Sequence, residues 1–254
     1  MHAVSQRHDT GVSRGWEEKV GIAYIIVSAV PLLLLCYVWY LDRLEREPIG
    51  LVAAVFFASA LLGTFAAALL EELGEAFLAE TPFMSIPIVG EILFYFVVVA
   101  LVEEFCKRFP VMLIVWRNPA FDYRFDMIVY CVASAIGFAV AENLLYVAAF
   151  GGDIAIGRLI PVHSICGLFM GFYLGCAKIC ERGGNMAQRK KYLRMSLLIP
   201  VLIHGAWDFC VGSDFVLLEL GAMVGILVLS VYAFIRLRTY AKFDAPLPEQ
   251  RVRF

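Results

Sequence analysis

The chain has 254 residues, of which 61% are hydrophobic and 17% charged, with a formal net charge of -2. Its mean hydropathy is +0.79. A soluble domain carries more charge and less apolar residue, and no basic patch interleaved with aromatics points to nucleic acid.

In chain order, apolar runs occur at about 21–41, 49–70, 91–116, 127–150, 157–180, 196–212 and 214–237. Each approaches the roughly 20 helical residues needed to cross a bilayer. The expected fold is therefore all-α: a polytopic membrane helical bundle of about seven transmembrane helices. The first run is too long for a signal-peptide core and has no small-x-small cleavage site, so it is expected to be retained. Around Cys36, Leu34 and Leu35 stand where a lipoprotein cleavage site needs small residues. A polar tail at 1–20, a transmembrane unit at 21–241 and a polar tail at 242–254 complete the expected organisation, with both tails mobile. The seven cysteines are scattered without a CxxC pair. Cys176 and Cys180, one turn apart, read as packing residues.

Charge bias sets an expected orientation. The loop at 41–48, the stretch from Lys107 to Arg124, the stretch 178–195 and the segment from Arg236 onward hold seventeen of the 21 basic residues. The other side holds Arg7, Arg14, Lys19 and Arg158, and the acidic connection Glu71–Glu80 has no cation. The N-terminus is expected outside and the C-terminus in the cytoplasm of a multi-pass cell-membrane protein.

Four runs carry polar residues that a lipid-facing helix avoids. The third contains "VEEFCKRF", with Glu103, Glu104, Lys107 and Arg108. The fourth contains Glu142, Asn143 and Tyr146, the fifth His163, and the sixth His204 and Asp208. Ionisable groups at such depth cost roughly 2.5–3.5 kcal/mol each on insertion scales, so they mark function by default. At about 1.5 Å per residue from each cytoplasmic end, Glu104, Glu142, His163, His204 and Asp208 fall at one level near mid-membrane. Glu103–Lys107, Glu104–Arg108 and His204–Asp208 are each spaced i, i+4 and share a helix face. His163, Gly167, Gly171 and Gly175 recur every four residues, a small-xxx-small stripe that allows close helix packing and turns His163 into the bundle. Each feature also has a structural reading: a buried ion pair, a packing histidine, an interhelical Asn143 bond or an interface Tyr146. Those readings leave the coincidence of two histidines and several carboxylates at one level unexplained.

In order along the chain, "LDRLEREPIG", "EEFCK", "FDYRFDMIVYCVASAIGFAVAENLLY", "RLIPVHSICGLFMGFYLG" and "LIPVLIHGAWDF" resemble the PrsW-type intramembrane protease family. This family lies within a superfamily that includes the CAAX prenyl endopeptidases and bacteriocin-processing relatives. The resemblance spans Pro31 to Phe209. The superfamily's double glutamate plus cation, first histidine, and second histidine with a polar residue four positions on match Glu103-Glu104, His163 and His204–Asp208, although Asn is common where Asp208 stands. The resemblance implies proteolysis of membrane-embedded or membrane-tethered proteins. Some members make the first cut in a membrane anti-sigma factor.

Peptide hydrolysis needs a water activated by a base and a stabilised oxyanion. Glu103 or Glu104 is expected to activate the water. His163 and His204 are expected to serve the oxyanion or the leaving amine, with Lys107, Glu142, Asn143 and Asp208 in support. Two histidines and a carboxylate also suit zinc, with Glu104, His163 and His204 as candidate ligands, although no HExxH is present. A proton-coupled transporter or channel would also hold such residues, but no repeat or broken-helix pair supports it. An inactive scaffold is opposed by the intact motif set.

Overall fold

A computed structural model describes residues 10–213 and 215–249. Nine α-helices appear among them: α1 Thr10–Leu41, α2 Ile49–Phe57, α3 Thr64–Ala79, α4 Pro87–Leu93, α5 Leu101–Ile114, α6 Asp126–Phe150, α7 Val162–Arg182, α8 Met186–Gly212 and α9 Val216–Lys242. Two π-helical segments, Ala58–Gly63 and Phe94–Ala100, join α2 to α3 and α4 to α5 without a break. The molecule is a polytopic membrane helical bundle. Among the described residues, six helical stretches are long and apolar enough to span a bilayer. The remaining expected span, 91–116, lies largely in the continuous α4–α5 rod, whose Glu103, Glu104, Lys107 and Arg108 set it apart from the other six.

The central element is α6, buried almost continuously from Asp126 to Ala139. Its small residues Ala133, Ser134, Ala135, Gly137 and Ala139 let neighbours approach, since helices in lipid associate through close packing rather than hydrophobic transfer. The expected glycine stripe is the contact with α7. A Cβ on Gly167 would lie 2.8 Å from the Cys131 carbonyl oxygen, and one on Gly171 would lie 2.6 Å from the Ile128 Cα. Along α9, Leu217, Val224, Leu227 and Val231 are exposed; in a bilayer these side chains face lipid.

Several boundaries differ from the sequence expectation. The α2–α3 rod runs to Ala79, so Glu71 is helical rather than part of an outer connection. The fifth expected span, 157–180, loses its first turn: Gly151 at φ 87° closes α6, two short 3-10 turns follow, and α7 begins at Val162 just after Pro161. Proline fits there because its missing N–H would have no intrahelical partner. The sixth span starts ten residues early, at Met186, where the Asn185 side chain accepts a bond from the Gln188 N–H at 3.1 Å and caps the helix. Helix α1 extends back to Thr10; residues 1–9 of the expected N-terminal tail lie outside the described residues.

Residues 243–249, the described part of the expected C-terminal tail, are docked instead of free. Arg124 N–H donates to the Ala245 carbonyl and Leu247 N–H to the Asp122 carbonyl, at 3.1 and 2.6 Å. Leu247 is buried. At this end of the bundle, Asp42, Glu47, Asp126 and Asp244 approach one another. Burial and the Asp126 carboxylate push Asp42 up to about 7 and Glu47 up to about 9.

Candidate active site

Toward the other end of α6, four helices bring their polar residues into one cluster. The sequence expected a common level, and the helices deliver contact. Lys107 is buried at its centre, with Nζ 2.8 Å from Glu103 Oε2, 2.8 Å from Glu104 Oε1 and 2.8 Å from His163 Nδ1. An ammonium has three N–H donors and no lone pair, so these contacts use all three. His163 Nδ1 must therefore accept, and its Nε2 carries the hydrogen; Glu142 Oε2 lies 2.9 Å from that nitrogen as a close ion-pair contact. The ammonium also lies 4.4 Å from the centre of the Phe138 ring, a favourable cation–π distance.

His204 is held from both sides. Its Nδ1 is 3.0 Å from Glu104 Oε1 and its Nε2 is 3.2 Å from Asp208 Oδ2. The expected His204–Asp208 pairing on one face of α8 is present, and so is Glu103–Lys107. The Glu104–Arg108 pairing is not. Glu104 turns to Lys107, three residues on, and to His204, while Arg108 Nε has no hydrogen-bond partner among the described residues. The two imidazole rings meet edge to face with centroids 5.0 Å apart.

Beyond His163, Arg158 NH2 lies 2.7 Å from Glu142 Oε2, and its Nε donates to Asn143 Oδ1 at 2.7 Å. Its guanidinium stacks 4.2 Å above the Tyr146 ring. From sequence, Arg158 counts only as an outer-side cation. Its signal was present nonetheless, as a lone arginine five residues before His163 in a short loop.

A cavity of about 480 Å³ opens beside the cluster. Glu103, Glu142, His163, His204 and Asp208 line it, together with Glu71. Glu104 does not reach it and is fully buried. The adjacent glutamates thus face different surroundings, as the 100° turn between successive helical residues requires. His163 is the second residue of α7 and lies within the apolar stretch Gly152–Arg182.

Residues 47–235 match the family described as PrsW family intramembrane metalloprotease. The chain belongs to the PrsW family. It is similar to protease PrsW of Halalkalibacterium halodurans, 37% identical over 183 residues, covering 71% of this chain and 79% of the relative. Protease PrsW of Oceanobacillus iheyensis is 32% identical over 209 residues, covering 80% and 90%. That of Bacillus subtilis is 33% identical over 187 residues, covering 69% and 76%. No solved structure matches the chain. As a PrsW member it is a membrane-embedded protease.

The family description names a metalloprotease, and one donor set here fits a metal ion. Glu103, His163 and His204 each offer a ligand atom within 4.8 Å of the others. Glu103 Oε2 is 3.9 Å from His163 Nδ1 and 3.7 Å from His204 Nε2, a few tenths of an ångström wider than the roughly 3.3–3.4 Å between ligands around a tetrahedral ion with bonds of about 2.0–2.1 Å. The carboxylate of this set is Glu103 rather than the expected Glu104. Lys107 contacts the same Glu103 oxygen and the same His163 nitrogen, so ammonium and metal share donor atoms.

Proposed function

We propose that this PrsW protease cleaves peptide bonds of membrane-protein substrates at the 480 Å³ cavity, with water activated by Glu103. The observation that carries this reading is the division of labour between the glutamates. Glu103 borders the cavity, whereas Glu104 is sealed behind it and spends Oε1 on Lys107 and His204. Glu103 takes the proton from water, and Glu104 positions His204 and Lys107. His204 is anchored through Nδ1 by Glu104 and His163 through Nδ1 by Lys107; their Nε2 atoms, now beside Asp208 and Glu142, exchange those carboxylates for the developing oxyanion and the leaving amine when substrate enters. Such preaimed donors in a water-poor site stabilise charge as it forms. Lys107 keeps two neighbouring carboxylates compatible inside the bundle.

Glu103, His163 and His204 are the residues that would hold a metal in place of their contacts with Lys107, and their donor set is that of zinc; as ligands they would orient the ion instead of exchanging protons themselves. When bound there, zinc would supply Lewis-acid polarisation of the scissile carbonyl.

The charge bias supports an orientation with the N-terminus outside and the C-terminus cytoplasmic. In that orientation the cavity lies toward the outer side of the membrane, because the loop between α6 and α7 closes over it. The fitting substrate is a single-pass membrane protein cut near its outer end, and a membrane-anchored anti-sigma factor has that architecture.

The test is co-expression with candidate single-pass membrane proteins, comparing wild type, Glu103→Gln and Glu104→Gln at equal membrane abundance. Loss of the cleavage product in Glu103→Gln is expected. Normal cleavage by that variant would refute the proposed role.

A further inference from the structure

We infer that the bundle carries a second ion site, for a hard divalent cation of the Ca2+ or Mg2+ class, formed by Asp42, Asp126 and Asp244 at the end opposite the cavity. Asp126 and Glu142 are sixteen residues apart on α6, about 24 Å at 1.5 Å per residue. The site therefore shares no ligand with Glu103, His163 and His204, and the inference does not depend on the proposed catalytic roles. Two of its three ligands, Asp42 and Asp244, fall outside the region matched to the family, 47–235.

The three carboxylates come from separate parts of the chain: the end of α1, the start of α6 and the docked C-terminal segment. One oxygen from each lies within 4.8 Å of the others. Ligands on opposite sides of a cation bound at about 2.4 Å stand about 4.8 Å apart, the dimension of a Ca2+ site.

Proximity of acids alone would be weak ground. The hydrogen bonding supplies an independent observation. Each carboxylate is oriented by loop backbone. Asp42 Oδ2 accepts from Glu47 N–H at 3.2 Å. Asp126 Oδ2 accepts from Asp122 N–H and Tyr123 N–H at 2.9 and 2.7 Å. Asp244 Oδ1 accepts from Phe125 N–H and Ala245 N–H at 2.9 and 2.8 Å. Among the described residues, the second oxygen of Asp42 is buried without a hydrogen-bond partner, and that of Asp126 is buried with no partner other than the neighbouring Glu47 carboxyl. Asp42 is 1% exposed and Asp126 0%. Buried carboxylate oxygens left empty are costly, whereas a cation satisfies several at once.

Among the described residues, none of the ion pairs involves Asp42, Glu47, Asp126 or Asp244. Glu47 adds a fourth acid at the edge of the group, held by the Tyr130 hydroxyl and, through its own carbonyl, by the Trp39 indole N–H at 2.9 Å. An all-oxygen set without Cys or His selects Ca2+, Mg2+ or Mn2+ over zinc. A bound cation would tie α1, α6 and the C-terminal segment together at one end, and leave the peptide chemistry to the other.

Terbium is the probe. It is an oxygen-seeking stand-in for Ca2+, and the Trp39 and Tyr130 rings beside Glu47 can sensitise its emission. Purified full-length protein in detergent is titrated with Tb3+ after chelator treatment, then challenged with Ca2+ or Mg2+. Saturable emission displaced by either cation is expected, with the stronger displacer naming the ion. Asp126→Asn should lose that emission. Asp244→Asn, altered outside the helices, should keep a folded melting profile and bind about tenfold more weakly, as fewer ligand charges lower affinity. Absence of saturable emission, failure of both cations to displace it, or wild-type affinity in folded Asp244→Asn would overturn the site.

Discussion

Lys107 and His163 are 56 residues apart in the chain, yet Lys107 Nζ donates to His163 Nδ1 across 2.8 Å. The same ammonium closes on Glu103 and Glu104, so one buried cation fixes two acids and a histidine on two helices. Its donors are all committed, and no water-filled route is needed to keep the acids together.

Lys107→Met should therefore be severely destabilising. Removing one partner from a buried ion pair costs about 3–5 kcal/mol, and here two carboxylates lose their partner together. Thermal melting in detergent should drop well below wild type. Zinc should restore part of the loss and bind more tightly than in wild type, because the ammonium no longer contests Glu103 Oε2 and His163 Nδ1. An unchanged melting temperature would show that the acids do not depend on Lys107.

The His204–Asp208 contact separates chemistry from packing. Asp208 touches the ring and not the reacting bond, so Asp208→Asn should slow cleavage by about 10–100-fold, as expected for a partner that orients a ligand or donor. His204→Ala should abolish cleavage. Rates and melting temperatures of both single mutants and the double mutant decide this. Equal losses of stability, with cleavage following the folded fraction alone, would reduce the pair to packing.

The α6–α7 contact sets the position of His163. Gly171→Ala places a methyl against the Ile128 backbone, 2.6 Å away before any adjustment, and overpacking of this kind costs about 1–3 kcal/mol. The variant should melt lower and cleave more slowly even though Gly171 is not in the cavity. Wild-type stability would mean that the helices separate freely at this point.

Much of this was legible in the sequence because it is local. Glu103–Lys107 and His204–Asp208 follow from helical periodicity, and the glycine stripe from its spacing of four. Glu104 was assigned the wrong partner because i, i+3 and i, i+4 neighbours are equally near on a helix and only the partner helix chooses. That choice is made by His204, 100 residues away. The fifth span is expected from 157, five residues before α7 begins, because hydropathy does not register where Pro161 starts a helix. The docking of Ala245 and Leu247 against Asp122 and Arg124 was invisible for a related reason: backbone bonds between distant loops leave no periodic trace.

Orientation is open to direct measurement. Reporter fusions at exposed Gln188 and at the C-terminus should both read cytoplasmic, with the Glu142–His163 end of α6 and α7 on the outer side. An extracytoplasmic signal at Gln188 would invert the bundle and move the cavity to the inner leaflet.

The central claim is that Glu103 activates water while Glu104 positions its neighbours. It is tested most directly by single-turnover cleavage of a defined membrane substrate by purified wild type, Glu103→Gln and Glu104→Gln, each with its melting temperature. Glu103→Gln should remain folded and lose about 10²–10⁴-fold in rate, the usual contribution of a positioned base, whereas Glu104→Gln should retain measurable turnover and lose more stability. A Glu103→Gln protein that cleaves at the wild-type rate, or whose rate falls only with its folded fraction, would contradict the account.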